Sequence, residues 1–328
     1  MGEQAHDVVR GEGTDAVSEP WHQVPSVDEL SPTYYDRPLL KPSVWGIDIP
    51  LYYFVGGAAG AALTLGAALQ VAEGPHGRQH LRAFAQQCHW IGVAGSTIGA
   101  VFLIHDLGRP SRFLYMVRVF RPTSPMNVGA WILGGAAPTA IATALFINRP
   151  GFWGMIGESA GYASGVFGAA LATYTGVLVS NTAVPIWQES RRWMPVLFAA
   201  SAAASAGGIL DLLPHHPGAA RLIAIFGTAG RIAELAAGYL VERSASRVPR
   251  VGEPFRRGAT GVIWRAAEVF TAASIVVSFA PGRSGTKRRV AAAMAVAGSL
   301  CLRFAVHYLS NASARDPRAS FDQQRGRR

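Results

Sequence analysis

Tyr174 and Asn181 stand seven residues apart in a stretch, Ser159–Gln188, that contains no charged residue. Seven residues is close to two helical turns, so the phenol and the amide share a face at different depths. Such a pair can hydrogen-bond a quinone carbonyl; a tyrosine near a membrane surface also serves as an interfacial anchor. Two further patterns place charge inside apolar sequence: Arg231-Ile-Ala-Glu234 and Arg265-Ala-Ala-Glu268. A spacing of three puts each arginine and glutamate on one helical face, where they can neutralise each other. Either pair reads as a structural ion pair or as part of a proton-conducting or quinone-facing polar seam. The segment His105-Asp106-Leu107-Gly108-Arg109-Pro110 continues with Arg112, Arg118 and Arg121 before Pro122. Those arginines read first as topology determinants, and also suit the docking of an acidic partner or a structured pocket mouth.

The elements that position these residues are membrane spans. Half of the 328 residues are hydrophobic and only 15% are charged, against about 25% in an average soluble domain. Ile49–Ala72, Ala83–His105 and Pro122–Asn148, like Ser159–Gln188, carry no charge. Each is at least as long as the roughly 20 residues that a helix needs to cross a bilayer core. Eight spans are predicted, over 50–72, 83–105, 127–147, 153–183, 193–213, 218–241, 258–280 and 288–310. The fold is therefore an all-α polytopic membrane bundle over 45–315. A soluble N-terminal tail (1–44) precedes it and a basic C-terminal tail (316–328) follows. The tail before the first span has no apolar signal-like region and is expected to be retained. The dense Gly and Ala of the spans suit close helix packing in lipid.

The net charge of +10 comes almost wholly from arginine placed between spans, which is a topology signal rather than a nucleic-acid footprint. Most Lys and Arg outside the spans fall on the side of the two termini, so the positive-inside rule places both termini in the cytoplasm. The two cysteines, Cys88 and Cys301, cannot hold an iron–sulfur cluster or a Cys-based zinc site. His89, His105 and His307 are the histidines within spans. The first two lie about 160° apart around their helix and about 24 Å along it, so no bis-histidine haem site is expected.

Several stretches resemble the NrfD/PsrC family of membrane subunits of polysulfide-reductase-type molybdoenzyme complexes. They are Pro50-Leu-Tyr-Tyr-Phe-Val-Gly-Gly-Ala-Ala-Gly60, Asp106-Leu-Gly-Arg-Pro110 and Arg118-Val-Phe-Arg-Pro-Thr-Ser-Pro-Met-Asn-Val-Gly-Ala-Trp131. Tyr174-Thr-Gly-Val-Leu and Leu302-Arg-Phe-Ala-Val-His-Tyr308 are similar as well. The resemblance implies a subunit without haem or metal, of the inner membrane, that exchanges electrons with menaquinone or ubiquinone. A ferredoxin-like iron–sulfur subunit would wire it to a catalytic, molybdopterin-type subunit. It further implies a quinone pocket containing Tyr174, with His105 and Asp106 at the end of the second span. The family's first-span polar pair has no match in this sequence, where Tyr52 and Tyr53 occupy that region. A secondary transporter and a purely structural anchor are the alternative functions.

Overall fold

The computed structural model describes residues 39–325 except 42, 44, 74–78, 216 and 283. Eight of its helices are long and apolar enough to cross a membrane. They are α1 (Asp48–Glu73), α2 (Gln79–Asp106), α4 (Pro125–Phe146), α5 (Gly151–Ser180), α7 (Met194–Leu212), α8 (Pro217–Ala245), α10 (Gly258–Phe279) and α11 (Gly285–Arg315). Four short helices join or follow them: α3 (Ser111–Arg118), α6 (Pro185–Glu189), α9 (Pro249–Gly252) and α12 (Pro317–Arg325). No strand occurs among the described residues. The eight expected spans match the eight long helices one for one, with ends that differ by a few residues. The chain is an all-α polytopic membrane bundle.

Proline and glycine set the boundaries. Pro125, Pro185 and Pro249 open their helices at the first position, where the missing N–H costs nothing. Gly151 and Gly258 start α5 and α10 with φ near +66° and +69°, a conformation other residues adopt with strain. In the interior α1, α5, α7 and α11 pack on one another, while α2, α4, α8 and α10 lie around them. The α1–α5 contact depends on small residues. A Cβ on Gly60 would meet the Gly168 carbonyl and the Ala172 nitrogen of α5, so the two backbones touch. Such contacts replace the hydrophobic effect as the source of packing energy in lipid.

With an even number of spans and short connections, α1 begins and α11 ends on the same side, here called the terminal face. All four short helices lie on that face, and among the described residues no short helix lies on the opposite one. The stretch expected to be a basic C-terminal tail is, over 317–325, the helix α12. Ala319, Ser320 and Gln323 of α12 are buried, and Gln323 Nε2 donates to Glu189 Oε1 of α6 at 2.9 Å. The serine, alanine and glutamine of α12 form a packing face that the sequence, read for net charge, did not reveal. The expected N-terminal tail lies almost wholly outside the described residues.

Candidate functional site

The loop between α2 and α4 builds one wall of the site, and a few side chains fix it. Ser124 Oγ accepts the Asn127 N–H at the start of α4, a helix N-cap. Asn127 then ties the loop down. Its Oδ1 accepts the Arg121 N–H at 2.6 Å, and its Nδ2 donates to the carbonyls of Met116 and Val119. Two residues further, Gly129 lies flush against the Tyr174 ring, leaving no room for a Cβ. The Ser-Pro-Met-Asn-Val-Gly run is thus a device that holds α4 against Tyr174 of α5.

Tyr174 hydroxyl is hydrogen-bonded to the hydroxyl of Tyr52 on α1. Both are buried, as is Tyr53 beside them. Tyr52, Tyr53, Tyr174 and Asp106 line one small pocket, closed by Trp45, Ile49 and other apolar side chains. Asp106 is held in place by the Gly46 N–H, which donates to its Oδ1 at 3.2 Å. Trp45 stacks on Trp187, with ring centroids 6.2 Å apart. On the other side of Tyr174 lies a larger cavity of about 410 Å³. It is walled by the α2–α4 loop (Pro122, Thr123, Pro125) and by Thr173, Tyr174 and Asn181 of α5. Tyr174 lines both the small enclosed pocket and the larger, more open cavity.

Of the sequence candidates, Tyr174 and Asn181 do share a cavity, although Asn181 Nδ2 donates to its own helix at Val177 O, 2.8 Å. Asp106 reaches the pocket and His105 does not. Successive helical residues point about 100° apart, so His105 faces outward, where its Nδ1 bonds Asp48 Oδ2 at 2.8 Å. Arg109, Arg112, Arg118 and Arg121 are all exposed on the terminal face, on the loop and the α3 helix next to the larger cavity.

The two arginine–glutamate pairs part company. Arg265 and Glu268 form the expected bridge, at 2.5 Å. Arg231 and Glu234 do not. Arg231 donates to the Gly227 carbonyl, to Thr228 and to Ser274 and Ser278 of α10. Glu234 instead accepts from Thr271 Oγ1 at 2.6 Å and from Ser299 Oγ at 2.8 Å. The charged neighbour of Glu234 is Arg303 of α11, which is 1% exposed. Arg303 donates to the Phe198 carbonyl at 2.8 Å and lies 4.0 Å over the Phe198 ring. The i, i+3 rule finds a neighbour along one helix; in a tight bundle the hydroxyls and charges of other helices compete and here prevail.

These groups form a seam through the bundle. From the terminal face it runs through Asp106 and the three tyrosines to Arg303, which lies in electrostatic range of Tyr53. It continues through Glu234 and Arg231 to Asp211 near the opposite face, 3.6 Å from Arg288. Sequence reasoning missed Tyr52, Tyr53 and Arg303 as members of this site. The signals present were two adjacent tyrosines at a span's start and a lone arginine inside an apolar one.

The family profile for polysulphide reductase, NrfD, matches residues 38–312. The chain belongs to the NrfD family. No curated protein matches it. As an NrfD protein it is of the class of membrane subunits found in polysulfide-reductase-type redox complexes, and members of this family assemble with iron–sulfur and molybdoenzyme subunits. The matched region takes in every residue of the tyrosine pocket and the whole seam.

Proposed function

We propose that this chain is the quinone-exchanging subunit of such a complex, with the quinone ring bound in the cavity beside Tyr174. The observation that carries the reading is Tyr174 itself: a buried phenol at a cavity wall, oriented by Tyr52 and adjacent to Asp106. A quinone carbonyl gains negative charge as electrons arrive, so a fixed O–H donor stabilises the reduced form more than the oxidised one. Thr173 and Asn181 border the rest of the ring's space, and the apolar outer wall suits an isoprenoid tail. Reducing one quinone to quinol consumes two electrons and two protons. The electrons come from an iron–sulfur partner docked on the arginines of the α2–α4 segment; the protons reach the ring through Asp106 and the tyrosines. The seam through Arg303 and Glu234 offers a path for protons from the opposite face. In this reading the chain carries no haem or iron–sulfur cluster, and the catalytic, molybdopterin-type centre resides in another subunit.

The direct test is a titration of the purified chain with soluble menaquinone and ubiquinone analogues. Saturable binding of at least one is expected. Binding of neither, while the chain remains folded, removes the quinone reading and leaves an anchor or a transporter.

The arginine distribution supports a cytoplasmic terminal face, and with it a quinone pocket on the cytoplasmic side. A reporter fused after Arg328, or inserted in the connection between α8 and α10, should report the cytoplasm of a bacterial host. A periplasmic signal from the C-terminal fusion reverses the orientation.

A further inference from the structure

A second cavity opens on the terminal face, between different helices. It has a volume of about 690 Å³ and lies in the connection from α8 to α10, under α12. Five arginines line it, Arg247, Arg250, Arg256, Arg257 and Arg325, against the carboxylates of Glu253 and Asp322. Several of these cations already have partners. Arg257 bonds Glu253 at 2.8 Å, Arg250 bonds Asp316 at 2.8 Å, and Arg256 stands 3.7 Å from Glu242. Arg247 makes no ion pair among the described residues. Each guanidinium has five N–H donors in a planar fork, so one carboxylate leaves donors over. The cavity keeps an excess of positive charge and of N–H groups at the level where α8 ends and α10 begins.

From the cavity the charge continues along the surface of α8 and α10. Glu242 also accepts from Arg265 at 2.8 Å, and Arg265 reaches on to Glu268. Arg265 lies on the outward stripe of α10 with Val262, Val269 and Val276, which are 64–69% exposed, and half of its own side chain is exposed. It sits seven residues into α10, about 10 Å below the helix start. Ionisable residues at such depth nearly always face the bundle interior or a wet cavity. This one faces out.

We infer that the cavity and the α8–α10 surface beneath it form a site for an anionic diacyl phospholipid. The headgroup phosphate takes the free N–H groups of the arginine cavity. The glycerol ester oxygens meet Arg265 below, and the acyl chains cover the valine stripe. Basic pockets at the ends of membrane helices select anionic headgroups in this way. Inorganic phosphate offers the first of these contacts and none of the others.

The test uses the full chain purified in a neutral detergent, with retained lipid counted by native mass spectrometry. Phosphatidylglycerol and phosphatidylcholine of identical acyl chains are added in competition. At least a tenfold preference for phosphatidylglycerol is expected. Each arginine close to the headgroup contributes about fivefold, so Arg247→Gln with Arg256→Gln should erase the preference. The corresponding double lysine variant, which keeps the charge, should retain part of it and guards against a folding defect. Equal retention of the two lipids by the native chain overturns the proposal, as does a preference untouched in the glutamine variant. Displacement of phosphatidylglycerol by millimolar phosphate alone assigns the cavity to a free anion and overturns the lipid reading. A lipid-free dimer assigns the face to a second copy of the chain and overturns it as well.

Discussion

Tyr174→Phe should lower quinone turnover by the assembled complex roughly tenfold or more, while the chain stays in the membrane at its normal level. A tenfold loss corresponds to about 1.4 kcal/mol at the transition state, the scale of one positioned hydrogen bond. The substitution keeps the ring that packs on Gly129 and deletes only the hydroxyl. Tyr52 loses its partner at the same time, at a stability cost of about 1 kcal/mol. Tyr52→Phe separates the two roles, because it frees the Tyr174 hydroxyl without removing it. If Tyr174 is the donor and Tyr52 only orients it, Tyr52→Phe has the smaller effect on turnover. Unchanged quinone kinetics in Tyr174→Phe, measured with the natural electron donor, would exclude the phenol from the site.

Glu234→Ala should have the largest effect of any change in the bundle, on accumulation rather than on kinetics. Glu234 is the carboxylate that offsets the buried charge of Arg303, and two hydroxyls are aimed at it. Removing the carboxylate leaves the buried Arg303 cation without its opposite-charge neighbour and the two hydroxyls without their acceptor, both destabilising. Arg303 is badly placed to absorb that loss, since its Nε and Nη1 have no partner in the bundle. The membrane level of Glu234→Ala, read by immunoblot, should fall steeply. The double change Glu234→Gln with Arg303→Met removes both charges, and the chain should return to the membrane. Turnover then decides what the pair is for. A double variant that accumulates yet stays slow in quinone turnover or proton uptake supports a proton path through the seam. Recovery of both accumulation and turnover reduces Glu234 and Arg303 to structural roles.

The contrast between the helices and the site explains what the sequence could carry. Span positions follow from length and apolarity alone, properties that are local to each segment, and so the eight long helices fell where expected. The partners of a charged side chain are not local. Arg231 and Glu234 look paired on a helical wheel, but the serines of α10 and Arg303 of α11 are invisible there. Neighbouring residues raise the same difficulty. Periodicity says that His105 and Asp106 point in different directions, but only the position of α1 decides which of them faces inward. Tyr52 and Tyr53 were legible as aromatic residues near a membrane surface, where tyrosine is common. Their burial against Tyr174 depends on the glycine-lined approach of α5. The Ser124–Gly129 run was recognisable as a family feature long before its mechanical purpose, holding a loop and a ring in register, could be known.

Two residues just ahead of α1, Trp45 and Gly46, tie the start of the bundle to the pocket. Trp45 closes the tyrosine pocket and is braced by Trp187, while the Gly46 N–H holds Asp106. The first turn of α1 is therefore a doorframe for the cavity, and the polypeptide entering it is the hinge side. Tension applied to that segment, by a docked protein or a fused domain, is delivered first to Trp45 and then, through Gly46, to Asp106. A trimmed version of the chain keeps its doorway only if the cut falls ahead of Trp45.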